Sequence, residues 1–123
     1  MSEAVFDSNI LIDALKDVRA ARQELLRYNR RYISRVSWIE VMVGALPDDS
    51  ARAEGFLDYF QVIELNEEIS RHAAVLRSQR PSLKAMDAIM LASAQTTGRI
   101  LITRNTKDFP ANMPGIRVPY SVP

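Results

Sequence analysis

Val5-Phe6-Asp7-Ser8-Asn9-Ile10-Leu11-Ile12-Asp13 is the stretch whose reading decides the fold. A short apolar run stops at a carboxylate, and apolar residues resume at Ile10, Leu11 and Leu15 with helical spacing. This reads as a strand, an acid at its carboxyl end, and a helix over residues 9–15. In open α/β sheets ligands bind outside the carboxyl ends of the strands, so Asp7 stands where chemistry is done. Taken alone, Asp7 has a second reading as the cap of the helix behind it.

Working outward, residues 18–28 predict a second helix, with Arg19, Arg22, Arg27 and Arg30 turned outward. Tyr32-Ile33-Ser34 is a short strand, and Ser34 or Ser37 caps a mostly apolar helix over residues 36–45. Pro47-Asp48-Asp49-Ser50 opens a fourth helix running to about residue 59. Residues 60–65 alternate as a strand does, and Asn66 begins a helix through residue 76 with Glu67 and Glu68 at its positive end. A polar break over residues 77–82 precedes a helix over 83–97, which Gly98 closes. Arg99-Ile100-Leu101-Ile102-Thr103 is a continuous apolar strand, followed by a polar loop through Phe109 and a last strand at Ile116-Arg117-Val118. Five strands separated by helices imply an α/β fold with a parallel sheet covered on both faces. Trp38, Phe56, Tyr59 and Phe60 are assigned to the core ahead of a partner surface.

With 123 residues, the chain suits one domain, 1–123, and no repeat or linker divides it. Hydrophobic residues at 47% and charged residues at 25% argue against disorder. The absence of cysteine removes disulfides, thiolate zinc sites and a cysteine nucleophile. No apolar stretch approaches the roughly 18 residues of a membrane span, and the first residues lack the pattern of an export signal. The expected compartment is the cytoplasm.

Four acids stand out by position. Asp7 and Asp108 lie at strand ends, whereas Glu40 and Asp87 interrupt otherwise apolar helices. Acids on core-facing helices need a partner or a cation. Four carboxylates gathered in one pocket repel one another, and a divalent metal with oxygen ligands relieves that; without histidine or cysteine, the set points to Mg²⁺ or Mn²⁺. Such ions activate water and clamp a phosphoryl group. With these four set aside from the 15 acids, 16 basic residues face 11 acidic ones, a balance suited to a polyanion. Asp13 reads as a solvated helix acid, and His72 stands alone.

The segments Phe6-Asp7-Ser8-Asn9-Ile10-Leu11-Ile12, Ser37-Trp38-Ile39-Glu40-Val41, Asp87-Ala88-Ile89-Met90-Leu91-Ala92 and Leu101-Ile102-Thr103-Arg104-Asn105-Thr106-Lys107-Asp108-Phe109 together resemble a PIN domain. More narrowly, the chain is similar to the VapC-like toxins of bacterial toxin–antitoxin pairs. The resemblance implies a three-layer α/β/α sandwich with a five-stranded parallel sheet of order 3-2-1-4-5, and a metal-dependent endoribonuclease. It carries the first three family acids onto Asp7, Glu40 and Asp87. The fourth falls on Asp108, with Asn105 in the same loop as the alternative. Ser8, Asn9 and Thr103 match polar residues that line the site, and Arg35, Lys84, Arg104 and Lys107 lie near its rim as candidates for RNA phosphates. A cognate small antitoxin, an RNA substrate and a homodimer are implied as partners. Arg80-Pro81-Ser82-Leu83-Lys84 departs from the glycine-containing stretch common in relatives.

Other classes fit less well. A receiver-like phosphoacceptor needs an Asp ending the third strand, and a phosphatase with two aspartates two apart after the first strand fails at Asn9. Dinucleotide binding needs a glycine-rich first turn. His72 has no positioned serine partner for a triad. The reading from another class is a catalytically inert PIN-fold module that acts through protein contacts.

Overall fold

A computed structural model describes residues 2–121. Its elements are β1 (Glu3–Phe6), α1 (Ser8–Leu15), α2 (Arg19–Leu26), β2 (Arg30–Ser34), α3 (Arg35–Ala45), α4 (Ser50–Leu57), β3 (Gln61–Ile63), α5 (Glu67–Gln79), α6 (Ala85–Thr96), β4 (Ile100–Ile102) and β5 (Ile116–Arg117). The five strands form one parallel sheet in the order β3-β2-β1-β4-β5.

Two cores flank the sheet because successive strand residues point to opposite faces. Ala4 and Phe6 of β1 pack with Ile10 and Leu11 of α1, Leu25 and Tyr28 from the α2 segment, Val41 of α3 and Leu57 of α4. Val5, between them, packs on the other face with Ile69 and Ala73 of α5 and Ala88, Leu91 and Ala92 of α6. Phe6 anchors the first core, with edge-to-face contacts to Tyr28 and Phe60 at centroid distances of 5.6 and 6.1 Å. The chain walks outward from β1 to β3 with α1–α4 on one face. It then returns to β4 with α5 and α6 on the other, as a constant crossover hand requires. The reversal leaves a crevice at the carboxyl ends of β1 and β4.

Local chemistry sets the element ends. Ser34 caps α3 by accepting from Val36 N at 3.2 Å, and Asn66 caps α5 by accepting from Ile69 N at 2.8 Å. Gly98 follows α6 at φ +67°, where Gly98 N donates to Gln95 O and Arg99 N to Ala94 O, the paired bonds of a Schellman ending.

Several boundaries differ from expectation. Helix α5 continues through Gln79 into the expected polar break, because Arg77 reaches forward to Leu83 O at 2.7 Å and fastens the turn that follows. Helix α6 therefore begins at Ala85 rather than at residue 83. Arg30 opens β2 instead of lining α2, and its guanidinium lies 3.4 Å from Glu3. Among the four aromatic residues assigned to the core, Phe60 is buried and Trp38 and Phe56 pack against the core; Tyr59 is exposed. No described helix is long and apolar enough to cross a membrane.

Candidate active site

Parallel register builds the floor of the crevice. Phe6 pairs with Ile102, so one residue further on Asp7 and Thr103 stand side by side beyond the ends of β1 and β4. Asp7 N still bonds Ile102 O at 2.9 Å, and Thr103 N bonds Arg117 O at 3.0 Å, which holds both backbones in line with the sheet. The Asp7 carboxylate is 3% exposed and accepts from Thr103 Oγ1 at 2.7 Å, from Asn9 Nδ2 at 3.3 Å and from Ser8 Oγ at 3.2 Å. Asp7 occupies the N-cap position of α1, yet its side chain makes no cap bond. The capping role considered for it is therefore not the one its carboxylate performs. Burial pushes its pKa above the usual carboxylate range, against the hydrogen bonds from Thr103 and Ser8, and the nearby Glu40 charge adds to the rise.

The other acids arrive from separate elements. Glu40, half-buried on α3, accepts from Ser8 Oγ at 2.7 Å, so one hydroxyl sits between Glu40 and Asp7. Asp87 lies in the first turn of α6 and is pushed up to about 6, by burial first and then by the charges of Asp7, Asp108 and Glu40. Asp108 and Asn105 brace each other: Asn105 Nδ2 donates to Asp108 Oδ2 at 3.0 Å, and Asp108 N donates to Asn105 Oδ1 at 3.2 Å. A cavity of about 380 Å³ is lined by Asp7, Ser8, Asn9, Glu40, Asp87, Asn105 and Asp108, with Lys84, Ala85 and Met86 on its rim. The four acids expected to act together thus share one pocket, and Asn105 joins them as a donor that steadies Asp108.

Donor chemistry fits a hard divalent cation, since every acidic group offers oxygen and the acids raise one another's proton affinity. As they stand, no three His, Cys, Asp or Glu side chains among the described residues are drawn close enough to hold an ion. Three of the four acids are instead held by neutral donors, Asp7 by Thr103, Glu40 by Ser8 and Asp108 by Asn105, and Asp108 Oδ1 also lies 3.9 Å from Arg80.

The basic residues divide. Lys84 lines the cavity and Lys107 is exposed on the adjacent loop. Arg35 is tied to Glu64, with Nε 2.9 Å from Oε1, and its guanidinium lies 5.1 Å from the centre of the Trp38 ring. Arg104, expected at the rim for phosphate, is turned away into a two-point pair with Asp13, at 2.7 and 3.1 Å. Asp13 in turn is no solvated helix acid: it is 6% exposed and also accepts from Tyr120 Oη at 2.8 Å. Burial alone would raise its pKa, but the bonds from Arg104 and Tyr120 outweigh that and hold it below the usual range.

Two further residues escaped the sequence reading. Arg80 donates to Asp108 O at 2.7 Å, and the buried Glu24 pairs with Arg117 at 2.7 and 3.1 Å, joined by Tyr28 Oη at 3.0 Å. For Glu24 a signal was present, because it shares a helix face with Ala21, Leu25 and Tyr28.

A strand-end acid backed by three more from separate elements, on a 3-2-1-4-5 sheet, can be compared with known proteins. The tRNA(fMet)-specific endonuclease VapC of Shigella flexneri is 27% identical over 121 residues, covering 89% of this chain and 91% of that protein. A toxin–antitoxin complex from Klebsiella pneumoniae contains a chain with TM-score 0.90 and 42% identity, over 97% of this chain and 99% of that one. The DNA-bound VapBC of Salmonella typhimurium, at 21% identity and TM-score 0.77 over 95% and 96% of the two chains, has the same fold. The PIN domain model matches residues 4–112, and with that match the chain belongs to the PIN domain family.

Proposed function

We propose that the protein is a Mg²⁺- or Mn²⁺-dependent endoribonuclease, the toxin of a toxin–antitoxin pair, acting in the cytoplasm as a single domain and a homodimer. The observation that carries this reading is the gathering of Asp7, Glu40, Asp87 and Asp108 around one cavity at the carboxyl ends of β1 and β4. The similarity to a VapC endonuclease and to a chain of a toxin–antitoxin complex supports the activity and the antitoxin partner.

Asp7, Asp87 and Asp108 hold the cation, with Glu40 as a further ligand or as the base that orients water. A divalent cation bound there supplies Lewis acidity toward a phosphodiester and lowers the pKa of water. Thr103 and Asn9 both hold Asp7 Oδ2, and Ser8 Oγ lies between Asp7 Oδ1 and Glu40. Lys84 on the rim and Lys107 beside it offer positive charge to an RNA backbone.

The test is RNA cleavage by wild type and Asp7→Asn with Mg²⁺, with Mn²⁺ and with EDTA. Cleavage by wild type alone, abolished by EDTA, is expected; equal activity in all conditions overturns the reading. The second reading, an inert module acting through protein contacts, is favoured by the absence among the described residues of any three acids close enough to hold an ion. Failure of the folded protein to bind Mn²⁺ decides for it.

A further inference from the structure

Two buried carboxylates lie outside the acid pocket, and each is built the same way. Glu24 receives both arms of Arg117 and a tyrosine hydroxyl, and Asp13 receives both arms of Arg104 and a tyrosine hydroxyl. The difference between them is where they are fastened. The side-chain bonds of the Glu24 group reach no residue of the acid pocket; its one link toward it is the backbone bond from Thr103 N to Arg117 O, which a side-chain change at Arg117 leaves in place. Arg104 sits between Thr103, which bonds Asp7, and Asn105, which braces Asp108. Its own backbone N–H approaches Asn9 Oδ1 at 3.5 Å.

Asp13 stands six residues beyond Asp7 on the helix that Asp7 begins. The pair therefore closes a ring: Asp7 to Thr103 through a hydrogen bond, Thr103 to Arg104 along the chain, Arg104 to Asp13 through the fork, and Asp13 back to Asp7 along α1. Tyr120 locks the fork from the carboxyl-terminal segment. A planar guanidinium with two fixed bonds sets both direction and distance, which a lysine ammonium cannot do.

We infer that Asp13, Arg104 and Tyr120 are a positioning clamp, which fixes the loop from Thr103 to Asp108 against Asp7 so that the acids from β1 and from this loop face one another across the cavity. None of the three lines the acid pocket. Residues that orient metal ligands cost about 10–100-fold in metal affinity or activity when changed, whereas an ion pair that only supports the fold affects neither. The inference rests on the endoribonuclease reading for its kinetic readout alone.

The experiment compares Arg104→Lys with Arg117→Lys in the full chain, using thermal melting, Mn²⁺ binding, and kcat and KM for RNA at saturating Mn²⁺. Both variants should melt below wild type. Only Arg104→Lys should lose Mn²⁺ affinity and kcat, each about 10-fold or more, with KM for RNA within about twofold of wild type. Tyr120→Phe should show the same pattern more weakly, and it carries the comparison if Arg104→Lys does not fold. Equal Mn²⁺ affinity and kcat in the Arg104 and Arg117 variants overturns the clamp, and so does a change confined to KM, which would make Arg104 a substrate contact. A wild type that cleaves no RNA overturns the functional reading instead; the Mn²⁺ affinities still decide the clamp. If wild type binds no Mn²⁺ either, amide exchange at Asn105 and Asp108 decides, with faster exchange in Arg104→Lys than in Arg117→Lys supporting the clamp and equal exchange overturning it.

Discussion

Thr103 Oγ1 donates to Asp7 Oδ2 at 2.7 Å because the parallel register of Phe6 with Ile102 runs one residue past both strand ends. The bond is buried and its acceptor is an ionisable group, so its loss leaves a nearly buried carboxylate short of a donor. Thr103→Val, which keeps the shape and removes the hydroxyl, is expected to destabilise the metal-free protein by about 1–3 kcal/mol at neutral pH. Thr103→Ser should restore most of it. Urea denaturation of the three proteins checks this, and a Thr103→Val variant as stable as wild type would show that the bond contributes nothing.

Asp7 carries its charge at 3% exposure without capping α1. Replacing it by Asn removes the buried charge and keeps the shape, so the metal-free melting temperature of Asp7→Asn should equal or exceed that of wild type. Mn²⁺ should raise the melting temperature of wild type and leave that of the variant unmoved. Thermal scans with EDTA and with Mn²⁺ measure both. A clear loss of metal-free stability would show that the hydrogen bonds from Thr103, Asn9 and Ser8 to the Asp7 carboxylate outweigh the cost of burying it.

Asp87 has its pKa pushed up to about 6, by burial and then by Asp7, Asp108 and Glu40. A carboxyl raised in the folded state binds its proton more tightly there than in the unfolded chain. Its contribution is fully present below the unfolded value of 3.8 and is lost as pH rises through about 6. The linkage limit for such a shift is about 3 kcal/mol, and solvent screening at this half-buried side chain reduces it to about 1 kcal/mol. Unfolding free energies in EDTA between pH 4 and pH 7 should therefore fall for wild type relative to Asp87→Asn. Parallel curves for the two proteins would contradict the shift.

The sheet and the acid pocket were legible because their signals are local. The apolar run Ile100-Leu101-Ile102 has the pattern of a buried parallel strand, and Glu40 and Asp87 are conspicuous inside apolar helices. The clamp was not legible, although half its signal is in α1: Asp13 shares the inward face with Ile10 and Ala14. What makes a buried Asp13 tolerable is Arg104, 91 positions away, and Tyr120, 107 positions away. No local pattern predicts such partners. For the same reason Arg104 read as a rim cation, since a sequence shows the charge and not the carboxylate that claims it. The end of α5 was misplaced because Arg77, Ser78 and Gln79 are polar on an outer face, which looks like a break until the Arg77 bond to Leu83 O is seen.

Glu24 is 4% exposed, and burial would raise its pKa, but Arg117 and Tyr28 hold it below the usual range. Its contribution is present above the unfolded value of 4.5 and is lost as pH falls through the lowered folded value. Glu24→Gln should destabilise by about 2 kcal/mol at pH 7, less than the 3–5 kcal/mol of a fully buried pair because Arg117 remains open to water. Urea unfolding at pH 7 and at pH 3 checks both halves: the gap between variant and wild type should be smaller at pH 3 than at pH 7. A gap of equal size at both would mean the packing, not the ion pair, carries the effect.

Of the four rim cations, Lys84 and Lys107 alone make no side-chain hydrogen bond or ion pair among the described residues, whereas Arg35 is bound to Glu64 and Arg104 to Asp13. A cation already paired must break that pair before it meets a phosphate, so the two lysines should carry the electrostatic part of RNA binding. Each phosphate contact steepens the dependence of log affinity on log salt by about 0.7 for a single strand. In the Asp7→Asn background, chosen so that bound RNA should not be cut, Lys84→Ala and Lys107→Ala should each weaken binding and reduce that slope by about 0.7. Arg35→Ala should leave the slope unchanged, because the charge it removes is already neutralised by Glu64. Binding measured between low and moderate salt separates these outcomes. A slope that falls with Arg35→Ala and not with the lysines would place the RNA backbone at the amino-terminal end of α3, beside Glu64.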